Sequence, residues 1–257
     1  MSSKSAQRAR NNAKSNRRAA NILSSFALAV YLISAIYGIS QIFNEDTIAS
    51  GILIFAMGLL GSAVCLLPYI VRRIWNVEIP LFILVFLYCH IFLAVVPGEI
   101  FNFYYTVWWW DKFLHFVAGL GICYIFFKIL SHFLADVKNK SKIGFILAMS
   151  FFASLGTAVI WEISEFTVDS IFNTNMQKFI PAEFMPDNKG AALSLQDTDE
   201  KIAAFYREPS GYRYALMDTM YDHIAHTAGA LLWVIIYKVG RFSSGNPIAK
   251  KTKTAAS

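Results

Sequence analysis

Three short segments concentrate side chains able to hold a metal ion or move a proton. They are DKFLHF at 111–116, WEISEF at 161–166 and DTMYDHIAHTAGALL at 218–232. Each is spaced as a helix would space it. Asp111 and His115 are i, i+4. Glu162 and Glu165 are i, i+3. Asp218, Asp222 and His226 form one stripe at i, i+4 and i+8. Each set therefore shares a helix face. Two imidazoles with several carboxylates suit a divalent metal such as zinc, manganese or iron. An ion with an open coordination position would activate water. Without an ion, crowded acids hold protons more tightly and can relay them.

The expected metal ligands are His115, Asp222, His226 and Glu162. The expected acid–base or orienting groups are Glu162, Asp218, Asp111 and Glu165. Simpler roles compete. Asp111 and Asp218 begin predicted helices, where they would cap the backbone and offset the helix dipole. Glu165 reads equally as an interface residue. His223 faces away from the stripe, His90 reads as a helix-packing hydrogen-bonder, and His132 as a solvated helix end. No Walker, G-x-G-x-x-G, H-E-x-x-H or G-x-S-x-G motif is present, so nucleotide and common hydrolase signatures are missing. Cys65, Cys89 and Cys123 all fall in predicted spans with no C-x-x-C, and neither a disulfide nor a thiolate metal site is expected.

The elements that must position these residues are membrane helices. The chain has 257 residues, 56% apolar and 16% charged. A soluble domain is nearer 45–50% apolar and about 25% charged. Residues 19–44, 47–71, 79–98 and 143–161 contain no Asp, Glu, Lys or Arg. Each is about long enough to cross a ~30 Å hydrocarbon core. Two further uncharged runs, 113–127 and 223–237, are shorter. At 1.5 Å per residue they reach only ~22 Å, so they span only by carrying ionisable residues inward. In lipid the backbone must satisfy its own hydrogen bonds, which demands helices. The predicted fold class is therefore all-α: a polytopic bundle of six transmembrane helices near 22–43, 48–71, 79–97, 111–134, 143–166 and 217–238. Flanking it are a disordered basic tail at 1–20 and a basic tail at 241–257.

Charge predicts the orientation. The formal net charge is +6, from 23 basic and 17 acidic residues. Six spans put both termini on one side, and that side carries about +15 against about −9 opposite. The basic side is cytoplasmic. The expected location is the plasma (inner) membrane, with the basic tails against anionic lipid. Nucleic acid is not an expected partner, because no aromatics interleave with the basic residues of the tail. The three polar stripes then fall in one layer near the exported surface. Counting 1.5 Å per residue from the cytoplasmic boundary puts Glu162 and His115 about 30 Å up, Asp222 about 24 Å and His226 about 18 Å. The aromatic connector 98–110 suits the exported interface. Residues 169–216 read as one long exported loop with Pro181, Pro186 and Pro209.

At the stripe residues the chain resembles the YjdF-like family of uncharacterised multi-pass bacterial membrane proteins. The matching positions are Asp111, His115, Phe116, Glu162, Glu165, Asp218, Asp222 and Gly229. It is similar, more distantly, to VanZ-like proteins through Asp222, Ala225, Gly229 and Ala230, with His226 where their pattern has Asn. The likeness covers roughly 79–238. It implies an architecture with a polar site, and a lipid or cell-envelope substrate. Three functions remain open from the sequence: a metal-assisted enzyme or binding protein for such a molecule, a small transporter with a carboxylate relay, and a structural or partner protein.

Overall fold

The computed structural model describes residues 3–44, 47–75, 79–134, 140–172, 175–178 and 211–244. They form α1 (Ser3–Ile42), α2 (Ile48–Trp75), α3 (Leu81–Leu93), a π-helical stretch (Ala94–Ile100), α4 (Phe103–Thr106), α5 (Trp110–Phe133), α6 (Lys140–Phe172) and α7 (Gly211–Ser244). No strand occurs among the described residues. Five stretches are long and apolar enough to cross a membrane: Lys14–Ile42, Ser50–Ile74, Leu81–Ile100, Trp110–Phe133 and Lys142–Ile171. The sixth predicted span lies in α7, a 34-residue helix. It is not among the five, since His223 and His226, with Asp222 and Lys238 bounding its uncharged run, lower its hydropathy.

The polarity of the helices is that of a protein dissolved in lipid. Phe26, Ile33, Phe82, Phe152, Ile160 and Ile224 are exposed, while Ser24, Ser34, Ser62, Ser150 and Ser154 are buried. Apolar surface costs nothing in hydrocarbon, and small hydroxyls let helix backbones approach closely.

The chain divides into two compact units, residues 1–114 with 162–220 and residues 115–161 with 221–257. In the first, α1 and α2 pair along glycines. A Cβ at Gly58 would meet the backbone of Tyr31 and Ala35, and one at Gly38 the backbone of Phe55. Tyr31 donates its hydroxyl to the Tyr88 carbonyl at 2.5 Å, and Ser24 Oγ lies 2.8 Å from the Tyr88 hydroxyl. These bonds tie α3 to α1 around a core of Ala27, Tyr31, Cys65, Leu84 and Tyr88. In the second unit, Phe127, Ile143, Ile146 and Leu147 form the core with Leu130, Trp233 and Tyr237 packed on it. The Trp233 ring meets Tyr124 edge-on at 4.7 Å.

Several boundaries differ from the sequence expectation. Residues 3–20 are helical, continuous with the first span. Nothing before Gly38 breaks the helix, and Ala, Arg, Lys and Gln are strong helix formers even without an apolar face. The connector 98–110 is largely helical. Pro97 has no N–H and crowds the carbonyl four residues back, so the end of the third span widens into π-helix. The expected loop 169–216 is shorter at both ends, because α6 runs to Phe172 and α7 begins at Gly211. Pro181, Pro186 and Pro209 lie outside the described residues, as does the C-terminal tail beyond residue 244.

Candidate functional site

In the second unit a close crossing of α5 and α7 sets the geometry. A Cβ on Gly119 would collide with the carbonyl oxygen of His226, and one on Gly229 with that of Phe116. Only glycine permits backbones this near. The contact places His115, one turn before Gly119, opposite Asp222, one turn before His226. His115 Nε2 and Asp222 Oδ1 are 3.6 Å apart. Both are buried, Asp222 to 1% exposure. Matching steps on both helices keep the register, so α5 and α7 run parallel here.

α6 completes the node through a residue the sequence reading passed over. Ser154, fully buried, lies 2.9 Å from His226 Nε2, and its hydroxyl donates to the Gly119 carbonyl at 3.3 Å. A serine has one proton to give. With that proton on the carbonyl, His226 Nε2–H is the donor to Ser154, and the lone pair resides on Nδ1. Such outer hydrogen bonds fix the tautomer of ligating histidines. Ser154→Ala is therefore expected to cost about 1 kcal/mol of stability. Thermal unfolding of the variant beside wild type in detergent measures it. A sign of this residue was available: Ser150 and Ser154 are i, i+4 in an otherwise apolar run.

The first unit holds the remaining predicted residues. Lys112 Nζ bridges Asp111 Oδ2 at 2.9 Å and Asp218 Oδ1 at 2.5 Å. Glu162, buried, lies against the Thr219 hydroxyl and within the field of Asp218, Asp111 and Lys112. Glu165 is also buried. Asp111 sits in the first turn of α5, as a dipole-compensating acid should. Asp218 does not begin its helix. α7 starts seven residues earlier, so capping is not its role. Of the other histidines, His90 stacks on Phe86 at 5.8 Å, and His132 is exposed beside Phe133. His223 is half-buried.

A third ion pair in the first unit was not anticipated. Lys178 Nζ contacts Glu99 Oε1 at 2.7 Å, with side-chain exposures of 5% and 10%. The ammonium also lies 4.8 Å from the Tyr104 ring centre and 5.5 Å from that of Tyr105. The segment 175–178 is held beside it. Asp169 accepts the backbone N–H groups of Met176 and Gln177 at 2.6 and 3.0 Å, and Gln177 Nε2 reaches Thr219 Oγ1 at 3.3 Å. Asn175 donates to the Tyr105 hydroxyl at 3.3 Å. Burial raises the Tyr105 pKa above its usual value. For Lys178, burial alone would lower the pKa, but the charge of Glu99, with Tyr105 and Asp169, outweighs it and raises the pKa. A raised amine pKa gives stability that is complete below the unfolded value, ~10.4, and lost as pH climbs through the folded one. The melting-temperature difference between wild type and Lys178→Met should hold from pH ~7 to ~10 and shrink only above that.

A family profile described as a predicted membrane protein, DUF2238, matches residues 22–241. The chain belongs to the DUF2238 family. The match takes in four of the candidate spans whole, the first from residue 22 onward, and nearly all of α7. This DUF2238 chain is also 36% identical over 115 residues to an uncharacterized protein of Thermotoga maritima. That alignment covers 43% of this chain and 57% of the relative, so the chain spans little more than half of the curated relative's length. No solved structure matches it. DUF2238 membership establishes a membrane protein and leaves the chemistry to the residues themselves.

Proposed function

We propose that this DUF2238 protein binds a divalent cation at the His115–Asp222 pair and acts there on a lipid or cell-envelope molecule. The observation that carries the proposal is the 3.6 Å separation of His115 Nε2 and Asp222 Oδ1. It is longer than a normal hydrogen bond. Two ligand atoms 2.0–2.1 Å from a tetrahedral ion stand about 3.4 Å apart. The same two groups are buried in helices of a membrane protein, where charges are costly unless paired, hydrated or metal-bound. His226, one turn further along α7 and held by Ser154, lies outside the 4.8 Å range that joins the ligand atoms of His115 and Asp222, and would reach an ion there only by turning its ring. In the first unit, Glu162, Glu165, Asp111 and Asp218, with Lys112 on the two aspartates, form a separate group of acids that would hold or pass protons. Zinc, manganese and iron all suit the donor set. A bound ion there would supply Lewis-acid and water-activating chemistry.

The proposed setting is the plasma membrane, with six spans including α7 and both termini cytoplasmic. The asymmetry of basic residues supports it. The more distant likeness to VanZ-like proteins supports the substrate class. The test is thermal unfolding of purified protein across a chelator series. Wild type should lose stability on chelation and regain it with zinc or manganese, while His115→Ala should respond to neither. An unchanged wild-type melting curve would sink the metal form of the proposal.

A second reading, a carboxylate relay for protons or cations, draws on the buried Glu162 and Glu165. Proton-coupled flux in liposomes that Glu162→Gln abolishes would favour it.

A further inference from the structure

A cavity of about 230 Å³ opens in the first unit, among residues from α1, α2 and the start of α3. Arg17 and Arg72 line it with the amides Asn16 and Asn21, and Leu81 and Leu84 supply apolar wall. None of its ten lining residues is acidic. Among the described residues no carboxylate forms an ion pair with either arginine. Arg72 lies over the Tyr69 ring, 5.7 Å from its centre.

The cavity's place along the chain matters as much as its charge. Asn16 and Arg17 stand just inside the first candidate span, Arg72 just before the end of the second, and Leu81 at the start of the third. These are span ends, where hydrocarbon gives way to headgroups. A soluble anion would need charge alone. Two guanidiniums beside exposed apolar helix surface instead match a molecule with an anionic head and an acyl tail. The volume falls below the ~300 Å³ lower end for whole drug-sized ligands, so it fits one headgroup with its chains outside. Arginine's forked donors match phosphate oxygens, and basic pockets between membrane helices bind anionic lipid heads.

We propose that this cavity is a specific site for the phosphate of one anionic phospholipid. It is separate from any diffuse attraction of the basic terminus to the membrane. Delipidated full-length protein would be titrated with phosphatidylglycerol or phosphatidylcholine in neutral detergent and read by native mass spectrometry. One phosphatidylglycerol should bind per chain, about tenfold or more tighter than phosphatidylcholine. Arg17→Gln with Arg72→Gln should weaken it about tenfold or more. Arg18→Gln with Arg73→Gln removes the same charge outside the cavity and should change it less than about twofold. Equal losses in the two double variants would overturn the site in favour of diffuse attraction. So would equal binding of the two lipids, or displacement of phosphatidylglycerol by millimolar inorganic phosphate, which would mark a free-anion site. Should the glutamine pair not fold, the lipid and phosphate competitions on wild type decide alone.

Discussion

Gly119→Leu and Gly229→Leu are expected to prevent the second unit from assembling. Each would force a side chain into a backbone carbonyl, of His226 and Phe116 respectively. Those atoms belong to regular helix and cannot swing aside as a flexible side chain does. Overpacking in ordinary cores costs 1–3 kcal/mol, and more where nothing can yield. The cost here should be about 3 kcal/mol or more even for alanine. It would be seen as loss of the cooperative thermal transition in detergent. Gly144→Ala and Gly156→Ala provide the comparison, since a Cβ at either meets nothing within 4 Å. Exposed or lipid-facing helix positions should tolerate alanine and gain slightly from its higher helix propensity. Equal destabilisation by all four alanine variants would show that the crossing has no special role.

The second large effect concerns the polar pair that this crossing brings together. Asp222→Asn keeps size and shape but removes the charge. It is expected to abolish stoichiometric divalent-ion binding, as is His115→Ala. A structural ion pair predicts something different. Replacing both members of a buried pair with apolar residues is often neutral or stabilising, whereas removing one member costs several kcal/mol. His115→Leu with Asp222→Leu therefore separates the accounts. If the pair is only helix glue, the double variant should be at least as stable as wild type under all conditions. If it holds an ion, the double variant should fold yet lose the chelator response and the ion together. Asp218→Asn is the control, since Asp218 is engaged by Lys112.

The features legible in the sequence were those written in charge and period. His115, Asp222 and His226 stood out because a membrane span carries few ionisable residues, and the i, i+4 spacing set them on one face. The Asp111–Asp218 neighbourhood was legible for the same reason, but not its bridging cation. Lys112 adjoins Asp111 in sequence and reads as a surface residue until α7 is packed beside it. Ser154 was missed because a hydroxyl in an apolar run looks like helix packing, and its role depends on the Gly119–His226 crossing. Glu99 and Lys178 lie 79 positions apart. No local period links them, and their contact requires the chain after α6 to fold back on the end of the third span. Helix ends were least legible. Polar residues at 3–20 and 211–216 continue helices beyond the apolar runs, and hydropathy marks only the part in lipid.

The most direct measurement is the metal content of purified, well-folded wild-type protein beside Asp222→Asn, with Asp218→Asn as control. Elemental analysis should find about one divalent ion per chain in wild type and in Asp218→Asn, and none in Asp222→Asn. A wild-type protein that folds cooperatively yet carries no ion, and takes up none from zinc, manganese or iron, would contradict the account.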